Sequence, residues 1–354
     1  MATPRINIDL GKIEDNAKKL KSLYGSKGIN ITGVTKVVCG DPQIAAALLK
    51  SGIEAFGDSR IANIQRMRNA GINARFVLIR TPIPSQIKSV VRYADISLNS
   101  ELSVIKGLSK SAIKQNITHK IILMVELGDL REGLMPSDLE NTIEVILGLK
   151  GIELVGLGTN LACLGGIKPD DNKMGYLSTL AGEVEEKFSL TFEFVSGGNS
   201  ANYSWFMETK DVGRINNLRI GESIYLGCET LDRTPIPGLF TDAFTLVAEV
   251  IESKIKPSVP CGQSYQNAFG HIPKFEDRGP IRRAILGVGL QDVLVSGLTP
   301  KLDIDIIGMS SDHIIVDAKQ TNLKVGNEVV FNFNYGALLS AMTSPYVIKK
   351  YKES

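Results

Sequence analysis

Histidine is scarce in this chain of 354 residues, with three in all, and cysteine is nearly as rare, with four. His119, His271 and His313 stand far apart, and Cys39, Cys163, Cys228 and Cys261 form no C-x-x-C pair. Neither set offers the clustered donors of a zinc site, and scattered cysteines fit reduced thiols in a cytoplasmic protein better than a disulfide framework. An excess of either charge is missing too: 40 basic against 38 acidic residues leave a formal net charge of +2. No electrostatic field therefore favours nucleic acid or an anionic membrane, and small molecules are the expected partners. No apolar run reaches the roughly 18 residues that span a bilayer. Met1 to Leu10 alternates apolar with polar residues and lacks the basic-then-apolar layout of a signal peptide.

What is present is material for a core. Hydrophobic residues make up 43% and charged residues 22%, the balance of a globular protein. The length is too great for one ordinary domain and fits two. Short β-branched runs alternate with helical stretches over the first two thirds, a rhythm that implies a parallel sheet. After an amphipathic helix over Leu10–Tyr24, the pattern predicts eight strands: Asn30–Val34, Ile53–Phe56, Arg75–Ile79, Asp95–Leu98, Ile121–Glu126, Leu154–Leu157, Thr191–Val195 and Asn217–Ile220. Helices over Pro42–Lys50, Ile61–Asn69, Glu101–Lys110, Ser137–Gly148 and Lys173–Phe188 separate them. Eight such units predict an α/β fold, a closed (β/α)₈ TIM-type barrel over residues 9–237, with its chemistry at the carboxyl ends of the strands. Beyond Gly238 the rhythm changes to strands without long helices: Thr245–Ile251, Ile281–Val288, Leu302–Ile307, Ile314–Val316, Glu328–Phe333 and Tyr346–Ile348. Residues 238–354 thus predict a mostly-β second domain, to which the strand before the first helix, within residues 1–8, is added.

The strand ends carry the chemistry. The first ends in Gly33-Val34-Thr35-Lys36-Val37-Val38. A lysine there points into the barrel mouth among apolar neighbours, where desolvation favours the neutral amine that a Schiff base with an aldehyde cofactor requires. On spacing alone a snorkelling surface lysine fits equally well. The seventh strand ends in Ser196-Gly197-Gly198-Asn199-Ser200 and the eighth in Leu218-Arg219-Ile220-Gly221-Glu222. Gly-rich turns at the last two strands are where such barrels bind phosphate through backbone N–H groups, although an N-capped loop reads the same way. Lysine on the first strand and a phosphate cradle on the last two reinforce one another.

Together these motifs resemble the alanine racemase superfamily, the fold-type-III pyridoxal-phosphate enzymes, and within it the ornithine and lysine racemase branch, over nearly the whole chain. The resemblance implies a racemase that interconverts L- and D-amino acids with pyridoxal 5′-phosphate on Lys36. Leu127 to Gly133 is similar to the family segment whose arginine, here Arg131, lies beside the cofactor hydroxyl. Asn199-Ser200 matches the phosphate-binding pair, and Leu218-Arg219-Ile220-Gly221 the motif whose arginine contacts the pyridine nitrogen. A cationic Arg219 cannot support a protonated ring nitrogen as a carboxylate would, which favours racemisation over decarboxylation. Racemisation needs two acid/base groups, one on each face of Cα. Lys36 serves one; the resemblance assigns the other to Tyr265, delivered by the second domain of a partner subunit, so that a homodimer shares its active sites. A tyrosine on an exposed loop is the alternative reading of Tyr265.

Departures from alanine racemase also bear on substrate. Asn160 stands where the family has a stacking histidine, and Val37-Val38-Cys39-Gly40 offers no phosphate-binding phenol. Ser311-Asp312 lies near the carboxylate-binding element, and Asp292 in a motif that has lost its tyrosine. Fewer bulky groups leave room for a longer side chain, with Asp292 or Asp312 to meet a substrate ammonium; both also read as turn residues. Ornithine, lysine or a broad set of amino acids is therefore expected ahead of alanine. Two other classes compete. A non-catalytic pyridoxal-phosphate carrier shares the barrel and a turn like Phe56-Gly57-Asp58 but lacks a β-domain. A decarboxylase or metal-dependent aldolase is disfavoured by Arg219 and by the absence of clustered metal ligands.

Overall fold

A computed structural model describes residues 2–352. Met1, Glu353 and Ser354, which the sequence reading places in the second domain, lie outside the described residues. The chain divides into two compact units, one from Leu10 to Thr241 and one that joins residues up to Asp9 with those from Asp242 onward. Strand β1 (Arg5–Asp9) belongs to the latter, and helix α1 (Leu10–Gly25) opens the former.

In the larger unit, β2 (Asn30–Val34), β3 (Ala55–Asp58), β4 (Arg75–Leu78), β5 (Ile96–Asn99), β6 (His119–Met124), β7 (Ile152–Gly158), β8 (Phe194–Ser196) and β9 (Asn217–Ile220) close in chain order into a parallel barrel. One helix follows each strand: α2 (Pro42–Lys50), α3 (Ile61–Asn69), α4 (Ile87–Tyr93), α5 (Leu102–Gln115), α6 (Leu139–Leu147), α7 (Asp171–Phe188), α8 (Asn202–Glu208) and α9 (Glu222–Leu226). This is a (β/α)₈ barrel. Alternate residues Ile96 and Leu98, Ile122 and Met124, with Val77 and Val155, build one apolar cluster against Ile79 and Phe194. Ser196 shares a strand face with Phe194, so the interior turns polar at β8. Between β7 and β8 only glycine fits at Gly156, because a Cβ there would lie 2.1 Å from the Phe194 carbonyl oxygen.

Strands β2 and β9 and helices α2 and α3 keep the bounds that the pattern predicts. Strand β3 runs two residues later, since Ile53 turns its N–H back to the Leu48 carbonyl at 3.2 Å, and Asp58 is the last strand residue. Helices α4, α8 and α9 are too short to show a helical period and escape prediction.

The smaller unit is a sheet of β10 (Phe244–Pro257), β11 (Pro280–Leu286), β12 (Leu298–Pro300), β13 (Asp305–Met309), β14 (Ile314–Asp317) and β15 (Glu328–Phe333), with β16 (Ile348–Lys352) beside β1. The first half of β10 lies between β1 and β15; the rest pairs with β11, with a register shift between Val250 and Glu252. Val250 already pairs with Leu286 of β11, and the bulge leaves one extra residue, Ile251, on β10 before Glu252 pairs with Ile285. One helix interrupts the strands, α10 (Tyr335–Thr343), where the sequence predicts none; Asn334 caps it by accepting from the Ala337 N–H at 2.9 Å. Strand β13 starts at Asp305 rather than Leu302 because Leu302–Ile304 form a turn, with the Ile304 N–H on the Leu302 carbonyl at 2.9 Å. No helix among the described residues is long and apolar enough to cross a membrane.

His119, at the start of β6, is buried with Nε2 2.9 Å from the Ser97 hydroxyl. Burial pulls its pKa from 6.5 down to about 4, against a weaker upward pull from Asp95. The unfolded chain therefore takes up the proton first. Stability is fully present above 6.5 and falls as the pH drops toward 4, by up to about 3 kcal/mol from this residue. Urea midpoints measured across that window should show a slope that His119→Gln flattens; an unchanged slope would contradict the assignment.

Candidate active site

Lys36 follows β2 by two residues and opens a single 3₁₀ turn, Lys36–Val38. That turn is tied to the neighbouring strand. Buried Thr35 donates its N–H to the Gly57 carbonyl at 2.9 Å and its hydroxyl to Asp58 Oδ2 at 2.8 Å. Asp58 Oδ1 accepts from the Arg60 N–H at 2.9 Å and Asn63 Nδ2 at 3.0 Å. Burial holds the Asp58 carboxyl above its usual range, opposed by those hydrogen bonds and by the charge of Lys36. Lys36 itself is half-buried, and its charge also acts on Glu222 at the start of α9. Its charge is thus felt by two carboxyl groups, one ending β3 and one following β9.

Across β7, β8, β9 and β2 the barrel interior holds one connected set of polar side chains. Asn217 Nδ2 donates to Thr32 Oγ1 at 3.0 Å, and Ser196 Oγ to Asn217 Oδ1 at 2.7 Å. Arg219, 5% exposed, donates Nη1 to Ser196 Oγ at 2.6 Å and Nη2 to the Thr159 carbonyl at 2.7 Å and Asn160 Oδ1 at 3.2 Å. Each of these acceptors is neutral. Burial pulls the guanidinium down to about 10; Glu132 opposes that and Arg131 adds to it. It stays cationic at neutral pH. Asn199 Nδ2 donates to the same Asn160 oxygen at 3.1 Å and to the Leu161 carbonyl at 2.9 Å. Ser200 Oγ accepts from the Ser223 N–H at 3.3 Å, which joins the loop after β8 to the turn after β9. Asn160 Nδ2 is buried with no partner. A Cβ at Gly221 would press on Val34 at 3.0 Å, and one at Gly198, whose φ is +143°, would strike Asn202 Oδ1 at 2.2 Å.

Arg131 sits on the loop after β6, which two carboxylates shape. Glu126 accepts from the N–H groups of Gly128, Leu130 and Arg131 at 2.5, 3.0 and 3.2 Å. Buried Asp129 accepts from those of Cys163, Leu164 and Gly165 at 3.2, 3.0 and 3.0 Å. The Arg131 guanidinium, exposed, pairs with Glu132 and donates to Cys163 Sγ at 2.7 Å. Lys36, Arg131, Asn160, Asn199, Ser200, Arg219 and Gly221 thus all stand at the carboxyl ends of barrel strands, and hydrogen bonds join Asn160, Asn199 and Arg219 directly. Asp58, Glu126, Asp129, Ser196, Asn217 and Glu222 are roles that the sequence left unassigned; an acidic residue two positions before a glycine or loop amide was the available signal.

The remaining candidates lie in the smaller unit. Tyr265 is on the irregular stretch between β10 and β11 and is 69% exposed. Asp292 is buried and accepts from the Ser344 hydroxyl at 2.9 Å. Ser311 and Asp312 are exposed in the turn between β13 and β14.

An enzyme barrel with a basic, amide-lined mouth is the class that this geometry defines. The profile of the alanine racemase N-terminal domain matches residues 8–229. An ornithine racemase of Acetoanaerobium sticklandii is 40% identical over 98% of this chain and 99% of its own length, and a lysine racemase of Thermotoga maritima 40% identical over 100% of both. Among solved structures, alanine racemase from a D-cycloserine-producing Streptomyces lavendulae superposes with a TM-score of 0.77 at 18% identity, covering 100% of this chain and 98% of that one. D-threonine aldolase from Filomicrobium marinum gives 0.74 at 15% identity, covering 96% and 88%, which reports fold alone. The chain belongs to the alanine racemase family and is an amino-acid racemase.

Replacing Asp58 by Ala would strand three donors, those of Thr35, Arg60 and Asn63. We expect a loss of about 2–3 kcal/mol in denaturant unfolding, and clearly less for Asp58→Asn, which keeps an acceptor. Equal losses for the two would show that Asp58 does not organise the Lys36 turn.

Proposed function

We propose that the chain racemises a basic amino acid, ornithine or lysine, with pyridoxal 5′-phosphate carried on Lys36. The observation that carries this reading is the Arg219 cation inside the barrel, hydrogen-bonded through both Nη groups and set beside the unsatisfied Asn160 amide. The residues fit the cofactor. A buried donor without a partner calls for an acceptor, and cationic or amide donors suit an anionic, acceptor-rich ring. Lys36 would bear it, Asn199, Ser200 and Gly221 would hold its phosphate, Arg219 its ring nitrogen, and Asn160 and Arg131 its ring face and hydroxyl side. When bound, the cofactor draws electron density from the bonds at the substrate Cα and so weakens the Cα–H bond.

The chain's own groups then move the proton. Lys36 takes or returns it on one face of Cα. Tyr265 does so on the other, supplied by a second copy in a homodimer with shared sites; its exposure leaves the phenol free to serve another chain. Arg219 donates a hydrogen bond without giving up its proton, which disfavours a long-lived carbanion and favours prompt return of a proton. The 40% identity to an ornithine racemase and to a lysine racemase over nearly full length supports a long basic substrate. Of the two acidic candidates for its distal ammonium, Asp312 with Ser311 is the exposed one, whereas Asp292 is engaged by Ser344.

Exchange of the Cα proton for deuterium across ornithine, lysine, alanine, serine and arginine tests the assignment. Ornithine or lysine should exchange fastest; alanine ahead of both would refute the substrate class. Lys36→Ala should abolish both exchange and the visible absorbance of bound cofactor, and absorbance that survives would remove Lys36 from its role. Tyr265→Phe should slow exchange by a hundredfold or more from one enantiomer. Mild, equal losses from both would place the second base elsewhere.

A further inference from the structure

Two residues in the loops after β6 and β7 hold a backbone conformation that their side chains disfavour. Leu130 lies at φ +53° and Ala162 at φ +55°, in the left-handed region usually left to glycine. Leu130 immediately precedes Arg131 and Ala162 immediately precedes Cys163. The residues that follow them meet, since Arg131 Nη1 donates to Cys163 Sγ at 2.7 Å. Left-handed backbone persists at such residues only where the surroundings over-determine it. Here they do. Glu126 gathers the N–H groups of Gly128, Leu130 and Arg131, and the ends of that loop are closed by the Glu126 N–H on the Leu134 carbonyl at 2.8 Å. Asp129, 1% exposed, reaches across to the second loop and takes the N–H groups of Cys163, Leu164 and Gly165. The second loop is anchored at its start as well, where the Leu161 carbonyl accepts from Asn199 and Asn160 Oδ1 from Arg219.

We propose that Asp129 and Cys163 are positioning residues that fix the Arg131 guanidinium, so that the loop after β7 sets where this cation stands. Glu132 cannot do so. It grips the Nε and Nη2 edge of Arg131, but as the next residue in the chain it moves with the same loop. Among the described residues, Cys163 is the one side-chain partner of Arg131 that comes from another loop. Its own place is given by Asp129, whose two oxygens hold three successive amides of that loop. A carboxylate bound to several N–H groups fixes a turn by charge-assisted bonds, and the strained residue before each contact aims it. Asn160 and Cys163 belong to one loop, so Arg131 and the Asn160 amide are held in register with one another. The inference rests on the reading that places Arg131 beside the cofactor hydroxyl, and adds what keeps it there. A group that must lie against a reacting system loses much of its effect when displaced by about 1 Å, which is the error that a second anchor prevents.

Its first test needs no cofactor. The full chain, stripped of cofactor with hydroxylamine, is treated with phenylglyoxal, which labels accessible guanidinium groups. The Arg131 peptide is quantified by mass spectrometry, with exposed Arg92 of α4 as internal standard. Cys163→Ala should raise the labelling rate of Arg131 by about threefold or more, and Cys163→Ser, which keeps an acceptor, should stay near wild type. The loaded enzyme gives the second readout. Cys163→Ala should slow deuterium exchange at the substrate Cα about tenfold, yet slow it no further in a chain that already carries Arg131→Ala. Asp129→Asn should follow Cys163→Ala in both measurements. Labelling unmoved in Cys163→Ala overturns the proposal. So does a slowing that persists in full beside Arg131→Ala, which would mean general damage to the loops, or equal behaviour of the Ala and Ser variants, which would mean that bulk matters and the acceptor does not. Cys163 is exposed, so its variants decide the matter even if Asp129→Asn does not fold. The reading beneath the proposal fails in another way, through absorbance that survives Lys36→Ala, and that result leaves the labelling of Arg131 as it was.

Discussion

A guanidinium placed inside a barrel must have its hydrogen bonds made by the protein, and Arg219 imposes that condition on four strands. Isolated charge in an apolar interior is costly enough that it is either neutralised or fully coordinated. Here coordination is achieved without a carboxylate. Ser196 from β8, the Thr159 carbonyl and Asn160 after β7 provide neutral acceptors, and Asn217 one turn of the pleat below holds Ser196 in place. The hydrogen-bond acceptors of Arg219 are all neutral, and Glu132 acts on its charge without bonding to it. Removing any one acceptor would leave a buried donor unpaired, so the polar set is kept or lost as a unit.

The loops above that set are organised by the opposite device. Asp58, Glu126, Asp129 and Glu229 each gather amide or hydroxyl donors into one carboxylate. A carboxylate that accepts two or three N–H groups fixes a turn with a charge-assisted bond and needs no packing partner. A long basic side chain stands near each of these turns: Lys36 after Thr35, which donates to Asp58, Arg131 on the loop that Glu126 holds, and Arg233 in the turn that Glu229 holds. Rigid placement of a long, flexible side chain begins with its backbone, and here the backbone is held by acids rather than by helix or strand.

How much of this could be read in advance follows from which features have a period. Strands β2 and β9 and helices α2 and α3 were legible because their apolar spacing is regular and Asp41-Pro42 marks a helix start; Asp41 accepts from Gln43 and Ile44 at 3.0 and 3.1 Å. Strand β16, by contrast, is Ile-Lys-Lys-Tyr-Lys, and three lysines hide the alternation that its pairing with β1 reveals. Helix α10 is nearly uniform in apolarity, so no face stands out against the strands around it. The site residues at strand ends were legible for a topological reason, since a closed barrel brings all eight carboxyl ends to one rim. The acids that hold the loops were not, because a carboxylate accepting backbone N–H groups leaves no spacing signature beyond a nearby glycine. Asn160 was visible only as a departure from a family pattern, and its unpaired amide emerges only once Asn199 and Arg219 are seen to share its oxygen.

Charge is therefore distributed unevenly around the mouth. On the β7–β9 side a cation is surrounded by neutral acceptors; on the β2–β3 side an amine stands beside carboxyls. The two arrangements serve different ends. Arg219, without a counter-ion, keeps its own proton and so acts as a fixed donor, and its lowered pKa of about 10 still lies far above neutrality. Lys36 stands instead among acids, since its charge acts on both Asp58 and Glu222. A reaction that withdraws hydrogen from one side of a carbon and restores it on the other requires both kinds of group at once, one that never exchanges and one that always can. Placing them on strand ends that meet only at the closure of the barrel lets each keep its own electrostatic surroundings while both face the same space.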